Sequence, residues 1–124
     1  MIKSEWKELI TNASQEAGTY KPYFDSIIDT LGQILEVRDL TYKQWQDEGS
    51  EPVIIHTNKA GEPNPTKNPL LTMVNDLNTQ ALAYWRDLGL TPSGLKKINE
   101  SAIKNSEIKE SALETLLRKA IEEK

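Results

Sequence analysis

Three carboxylates in the first half of the chain have a spacing that suits metal-dependent chemistry. Asp25, Asp29 and Glu36 share one side of a predicted helix. A carboxylate cluster of this kind can hold Mg²⁺ for phosphoryl chemistry, which a small nuclease would require. The more ordinary interpretation is a solvated acidic face, because these residues lie beside or opposite an apolar stripe. We therefore expect neither a metal site nor a catalytic residue in this helix.

Other residue types used in catalysis are scarce. His56 is the single histidine and the chain has no cysteine, so a catalytic triad would depend on one residue and a thiolate metal site is excluded. Gly89 and Gly94 are isolated and do not form a P-loop. The sequence predicts a protein that binds rather than catalyses, with no cofactor and no metal.

The segment from Gly89 to Ile98 has the composition of a phosphate contact. A helix that begins at Pro92 would present backbone N–H groups, hydroxyls from Thr91 and Ser93, and the lysines Lys96 and Lys97 near one end. A helix, a glycine-containing turn and a second helix are also the arrangement of a DNA-binding helix-turn-helix. The same pattern is a common way to pack two helices, so both interpretations stay open at this point.

Composition limits how nucleic acid is bound. The 124 residues are 37% hydrophobic and 27% charged, with a formal net charge of −4. A weakly acidic chain does not coat DNA indiscriminately, so any contact comes from a local patch, multiplied if subunits assemble. The chain lacks a run of about 18 apolar residues and an apolar leader. Neither membrane insertion nor secretion is expected, and the cytoplasm is the predicted location.

Apolar periodicity predicts two helices before residue 50. Trp6, Leu9, Ile10 and Ala13 follow the spacing of one helix face, and Gly18 marks the end of that helix. A second helix should begin at Pro22 and continue to about residue 48, as one long element in preference to two helices separated by a kink near Asp39. Its stripe consists of Phe24, Ile27, Ile28, Leu31 and Leu35. A helix of that length favours packing against copies of the same chain.

The composition changes between residues 50 and 68, where three prolines surround Val53-Ile54-Ile55. This segment is predicted to be an irregular or weak β-hairpin arm, either a subunit contact or a plain connector. Asn68-Pro69 then has the form of a cap and a first-turn proline. The helix that follows should end at Gly89 and be succeeded by a new helix from Pro92.

The last stretch, from about residue 106 to 124, predicts an exposed amphipathic helix that requires a partner surface. The expected fold is mainly α: a long helix, a helix-turn-helix-like pair, a C-terminal amphipathic helix and the arm. We divide the chain into a helical domain, residues 1–104, and the C-terminal helix, residues 105–124. The shortage of apolar residues indicates that part of the surface is extended or shared between subunits.

The residues between the arm and the last helix resemble the phage terminase small subunit family. The resemblance rests on Lys67-Asn68-Pro69-Leu70-Leu71, on Asn75-Asp76 in the next helix, and on Leu88-Gly89-Leu90-Thr91-Pro92-Ser93. Lys59-Ala60-Gly61 in the arm and the helix that ends near Trp45 also fit the layout of that family. The similarity covers about residues 20–100.

The resemblance implies a non-enzymatic component of the DNA-packaging motor. Such a subunit recognises the double-stranded viral genome, assembles as a ring and delivers DNA to the large terminase subunit, which carries the ATPase and nuclease. On this reading Lys96 and Lys97 are the first choice for phosphate contacts, and Lys3 and Lys7 are the second. The C-terminal helix would dock the large subunit or the ring through Leu113, Leu116, Leu117 and Ile121.

Two other functions remain as alternatives at the level of sequence. The first is a helix-turn-helix transcriptional regulator, which normally binds a two-fold operator as a dimer. The second is the small nuclease that would use Asp25, Asp29 and Glu36. A ring of many subunits favours the packaging function, a stable dimer favours the regulator, and Mg²⁺-dependent cleavage would identify the nuclease.

Overall fold

Helices dominate the chain in the computed structural model, which describes residues 1–122. Helix α1 spans Lys3–Glu16, and a 3₁₀ turn at Pro22–Phe24 leads into α2, Asp25–Asp47. Strands β1, Val53–Thr57, and β2, Pro63–Lys67, form an antiparallel hairpin. Helix α3 spans Pro69–Asp87 and α4 spans Pro92–Glu122. The expected mainly α class is confirmed.

The first two helices follow the predicted punctuation. α1 ends at Glu16, and Gly18 adopts a positive φ of 74° that favours glycine. The chain restarts at Pro22, as expected from its fixed φ, and α2 continues for 23 residues without a break. The prediction of one long second helix is therefore confirmed.

α2 is the central helix of the fold, with α1 and α3 packed against it. Its apolar stripe faces both neighbours, so Ile28, Leu31 and Leu35 are fully buried. They meet Ile10 of α1 and Leu88 at the end of α3 in one core. Partly buried aromatic side chains surround this core: Trp6, Tyr20, Phe24, Tyr84 and Trp85. Burying each large aliphatic side chain contributes about 1.5–3 kcal/mol to the free energy of folding. The contacts with α2 therefore stabilise α1 and α3.

α1 and α2 are also joined by polar contacts. The indole N–H of Trp6 donates to a carboxylate oxygen of Asp39 over 2.8 Å, and Arg38 donates to the other oxygen. Burial alone would raise the pKa of Asp39, but these hydrogen bonds outweigh it and hold that pKa below its usual value. The carboxylate is therefore a charged link between the two helices.

The arm between α2 and α3 is a hairpin, as one of the two predicted forms. Its base is fixed because the carbonyl of Glu51 accepts from the Trp45 indole and from the Asn68 side-chain amide, both over 2.9 Å. At its tip the side chain of Asn58 accepts from two backbone N–H groups, those of Ala60 and Glu62. The hairpin thus extends from a well-anchored base, with most of its residues exposed.

α3 begins as its sequence predicts. The Asn68 side chain accepts from the N–H of Leu70 over 3.0 Å, and Pro69 occupies the first turn. Val74 and Ala81 are its buried residues, and Ala81 belongs to the core that contains the α2 residues Ile28, Leu31 and Leu35. The helix therefore connects the base of the hairpin to the turn at Gly89.

α4 is a single helix of 31 residues, not two successive elements. The amphipathic helix expected from about residue 106 is the second half of the helix that begins at Pro92, since neither glycine nor proline interrupts residues 95–122. The proposed division at residue 105 falls within it. Only its first turns pack on α3, and every described side chain from Asn99 to Ile121 is exposed. Within residues 1–122 no helix is long and apolar enough to cross a membrane.

Candidate nucleic-acid interface

The corner between α3 and α4 is built by a regular helix end. The N–H of Gly89 donates to the Arg86 carbonyl over 3.0 Å, and the N–H of Leu90 donates to the Trp85 carbonyl over 2.9 Å. These two bonds form a Schellman motif, which requires the left-handed conformation that Gly89 adopts at φ 72°. A Cβ at Gly89 would also overlap the side chains of Thr19 and Ile98. The glycine therefore fixes both the turn and the close packing around it.

The first turn of α4 is capped and lies tightly against α3. The hydroxyl of Thr91 accepts from the N–H of Gly94 over 3.1 Å, the geometry of an N-cap. Gly94 is buried, and a Cβ there would overlap the carbonyl of Arg86. The missing side chain thus lets the start of α4 approach the last turn of α3.

The loop after α1 is held against the same corner. Thr19 is buried, and its hydroxyl donates to the carbonyl of Leu88 over 2.8 Å. This bond places the following residues, Lys21 and the 3₁₀ turn, beside α4. Three segments that are distant in sequence therefore meet at one place.

A cleft of about 610 Å³ lies between these three segments. Three basic side chains line it, one from each segment: Lys21 from the loop, Arg86 from α3 and Lys97 from α4. Asp87 is its acidic residue, and Ser93 contributes a hydroxyl from the first turn of α4. We call this site the basic cleft. Its charge and its position at a helix N-terminus suit a phosphate group.

The two lysines that were the first choice for DNA contacts have different surroundings. Lys97 lines the basic cleft together with Arg86 and Lys21. Lys96 lies outside that lining and is highly exposed, with its ammonium 4.0 Å from the Glu100 carboxylate one turn later. An exposed pair at that distance contributes little energy. The structure thus brings Lys97 together with other cations but leaves Lys96 on the open surface.

Lys3 and Lys7, the second choice, lie on α1 and face α2. Their ammonium groups lie 3.0 Å and 3.1 Å from the two carboxylate oxygens of Asp29. Hydrogen bonds from Lys3 and then Lys7 lower the pKa of Asp29. Both cations are already engaged by one anion, which reduces their local positive potential, and they are not part of the basic cleft.

The three carboxylates considered for Mg²⁺ have separate partners. Asp29 binds the two lysines, Glu36 accepts from the N–H of Lys3, and Asp25 accepts from the hydroxyl of Tyr20 over 3.1 Å. The hydrogen bond to Asp25 raises the pKa of Tyr20. In the part of the chain that is described, no three acidic or histidine side chains are grouped so as to hold a metal ion.

The apolar residues predicted to bind a partner form a stripe on the second half of α4. We call Leu113, Leu116, Leu117 and Ile121 the C-terminal stripe; their side chains are between 57% and 74% exposed. Such exposure of four large apolar side chains on one helix is characteristic of an interaction surface. The stripe is remote from the basic cleft along the helix.

Sequence reasoning missed two of the three cations of the basic cleft. Arg86 carried a signal, since a basic residue in the last turn of a helix stabilises its negative end and lies beside the turn at Gly89. The sequence signal for Lys21 was weak, because it consists only of the position of Lys21 directly before Pro22. The position of Lys21 near α4 involves the bond between Thr19 and Leu88, residues 69 positions apart. The position of Arg86 near α4 follows instead from the turn at Gly89 and the close approach of Gly94 to the Arg86 carbonyl.

Comparison with known proteins agrees with the resemblance seen in the sequence. The family described as phage terminase, small subunit matches residues 3–105. This match includes α1, α2, the hairpin, α3 and the first turns of α4 with Lys96 and Lys97. Searches of curated proteins and of solved structures gave no match. Because the matched region covers most of the chain, the protein belongs to the phage terminase small subunit family.

Proposed function

We propose that the chain is the non-catalytic DNA-recognition subunit of a phage packaging motor. It binds double-stranded viral DNA and delivers it to the large terminase subunit in the cytoplasm of the infected host, without a cofactor. Family membership supports a packaging role. The observation that carries DNA binding is the convergence of Lys21, Arg86 and Lys97 at the start of α4.

The basic cleft has the chemistry required for phosphate recognition. Arg86 can offer a planar pair of donors to phosphate oxygens, whereas Lys21 and Lys97 act as point charges. Contacts of this type position a protein on DNA without reading its sequence. Lys96 would supply a flanking contact on the exposed side of α4, and Lys3 and Lys7 are the secondary candidates because Asp29 neutralises part of their charge.

Assembly into a ring would multiply these contacts. A subunit of net charge −4 binds DNA weakly through one small cationic patch. In a ring, once one patch has bound, the others are held close to the same DNA, so the overall affinity exceeds that of a single patch. The C-terminal stripe offers apolar area for the large subunit or for neighbouring copies. We propose the large subunit as its partner and a cyclic homo-oligomer as the assembled state.

Salt-dependent DNA binding tests the location of the site. Fluorescence anisotropy with a labelled duplex, repeated over a range of NaCl concentrations, should show weaker binding for Lys97→Ala and Arg86→Ala. The magnitude of the slope of log K against log salt should fall by about 0.9 for each phosphate contact that is lost. The total change is this value multiplied by the number of subunits that contact the DNA. Lys96→Ala is the matched variant on the same helix turn and should have a smaller effect.

Variants of Lys3 and Lys7 define the result that would contradict DNA binding in the basic cleft. If Lys3→Ala and Lys7→Ala reduce the affinity and the salt slope while Lys97→Ala and Arg86→Ala do not, DNA binds on α1 and the basic cleft is not the site. Native mass spectrometry of the wild-type protein measures the number of subunits. A monomer at micromolar concentration would contradict the proposed ring.

A further inference from the structure

The two edges of the β-hairpin have different hydrogen-bonding capacity. Two backbone bonds bracket its ladder: Asn58 donates to Glu62 over 3.0 Å, and Asn68 donates to Pro52 over 2.9 Å. Hydrogen-bonded pairs alternate with non-hydrogen-bonded pairs in an antiparallel ladder. This alternation identifies two hydrogen-bonded pairs within the ladder, Ile54 with Thr66 and His56 with Asn64. The other residues of β1 and β2 direct their backbone N–H and C=O groups away from the partner strand, towards the outer edges of the hairpin.

The outer edge of β2 is closed to further pairing. Its outward-facing positions are Pro63, Pro65 and Lys67, and a proline has no N–H to donate. Two of the three donors that a neighbouring strand would need are therefore absent. Prolines at such positions are a common way to protect an exposed strand edge.

The outer edge of β1 is open. Val53, Ile55 and Thr57 each direct an N–H and a C=O outward. Within residues 1–122 these six groups take part in no hydrogen bond that links β1 to another element. The side chains are accessible as well, with Ile55 67% and Val53 49% exposed. An open edge next to exposed β-branched side chains is a template for one more strand.

We propose that β1 pairs with β1 of a second copy of the chain, antiparallel across a two-fold axis, to form a four-stranded sheet. Head-to-tail pairing of β1 with β2 of a neighbour is disfavoured because Pro63 and Pro65 cannot donate. Self-pairing meets no such obstacle, since all three outward positions of β1 carry an N–H. The occupant of this edge is therefore the same strand of another subunit.

The register of this contact follows from the direction of the backbone groups. With Ile55 opposite Ile55 of the second copy, Val53 lies opposite Thr57, and all three pairs are of the hydrogen-bonded kind. About six hydrogen bonds would form, two for each pair. The side chains of Val53 and Ile55 from both copies then lie on one face, beside Pro63 and Pro65, and form a continuous apolar strip.

This contact is independent of the DNA-binding site and of a cyclic ring. A two-fold contact uses the same patch on both subunits, so it pairs two monomers or two whole rings, whatever the number of subunits in each ring. An isolated two-stranded hairpin is also marginal in water, whereas four strands with an apolar face are more stable. The pairing would therefore stabilise the arm itself.

Ile55→Pro removes one outward donor without removing an N–H from the ladder inside the hairpin. Native mass spectrometry should show a particle with half the wild-type mass, because each two-fold pair separates. The helical signal of the circular dichroism spectrum should remain unchanged, because residue 55 lies outside the helices and the prolines at 63 and 65 already occupy equivalent positions. An equal mass for the wild type and a folded Ile55→Pro variant would overturn the proposal.

A disulfide tests the register in a chain that has no cysteine of its own. Ile55→Cys places two thiols on directly opposed residues whose Cα atoms are about 5.5 Å apart, a distance that a disulfide spans. Oxidation should give a covalent dimer on a non-reducing gel. His56→Cys, the adjacent residue, should not crosslink, because it faces Ile54 of the second copy.

The outcomes separate this proposal from the function of the basic cleft. Absence of the Ile55→Cys dimer, or equal crosslinking of His56→Cys, would contradict the pairing even if DNA binding is confirmed. Conversely, loss of the DNA site at Lys97 and Arg86 leaves the mass and the disulfide result unaffected.

Discussion

The hydroxyl of Thr19 donates to the carbonyl of Leu88 over 2.8 Å, and this bond joins the end of α1 to the end of α3. Both groups are buried against Gly89, where a Cβ would meet the Thr19 methyl group. The contact holds the loop that carries Lys21 against the end of α3, where Arg86 lies. One of the contacts that form the basic cleft is therefore a buried hydrogen bond between residues that carry no charge.

Thr19→Val keeps the shape of the side chain but leaves the Leu88 carbonyl without this donor. We expect a loss of about 1–3 kcal/mol in the free energy of unfolding, measured by urea denaturation. Thr30→Val is the control, because the Thr30 hydroxyl is exposed and bonds only within its own helix. Equal losses for the two variants would show that the Thr19 bond contributes nothing specific.

Gly94→Ala distinguishes helix propensity from packing. Propensity alone predicts that alanine stabilises a helix by about 1 kcal/mol relative to glycine. Since a Cβ at this position would overlap the Arg86 carbonyl, we expect instead a destabilisation of about 1–3 kcal/mol. Gly32→Ala should cost less, because a Cβ there would lie 3.1 Å from a Lys7 side-chain carbon and 3.2 Å from the Lys3 carbonyl, contacts that are tight but do not overlap. Urea denaturation of both variants measures the difference, and a stabilised Gly94→Ala would show that α4 does not pack closely on α3.

Asp39 should make the stability dependent on pH at the acid end. Because its pKa is lower in the folded state than the usual value, its contribution is present above the unfolded pKa of about 3.9 and is lost as the pH falls through the folded pKa. Asp39→Asn should therefore lose roughly 1 kcal/mol at pH 7 and approach the wild type towards pH 3. Urea denaturation at several pH values tests this, with exposed Asp76→Asn as the control. A constant difference at all pH values would contradict it.

The C-terminal stripe should matter for association rather than for the fold of one subunit. Leu116 is 65% exposed, so Leu116→Ser should change the unfolding free energy of a monomer by less than about 0.5 kcal/mol. Leu31→Ala, in the core, should cost about 2–5 kcal/mol. Thermal unfolding at low protein concentration measures both effects.

A double variant of the C-terminal stripe tests whether the stripe binds the large subunit. Leu116→Ser combined with Leu117→Ser should abolish co-purification with the large terminase subunit of the same phage. Ile108→Ser is the matched control, since Ile108 is also exposed but lies on another side of α4. Retained co-purification by the double variant would remove the stripe as the docking site.

Local signals in the sequence predicted the elements well. The cap and proline at Asn68-Pro69, the positive-φ glycine at Gly89 and the apolar stripe of α2 each depend on residues within a few positions, so their outcome follows from periodicity and backbone conformation. The amphipathic pattern of residues 106–124 was recognised, but its continuity with the helix from Pro92 was not.

Long-range placement was beyond such signals. Lys21 and Arg86 line the same cleft because the loop after α1 packs against the end of α3 at Thr19. Lys3 and Lys7 are partly neutralised because both form ion pairs with Asp29 of α2. Neither fact has a signature within one helix. A run of lysines in a sequence therefore identifies charge, while the fold determines which of those charges is free for a phosphate.

Because α4 is one uninterrupted helix, it fixes the distance between the basic cleft at its start and the C-terminal stripe near its end. At 1.5 Å per residue, the rise from Lys97 to Ile121 is about 36 Å, which is close to one helical turn of B-DNA. If α4 lay along the duplex axis, a partner bound at the C-terminal stripe would be about one duplex turn from a phosphate held in the basic cleft. Insertion or deletion of a single residue between Lys97 and Leu113 would rotate the C-terminal stripe by about 100° relative to the basic cleft.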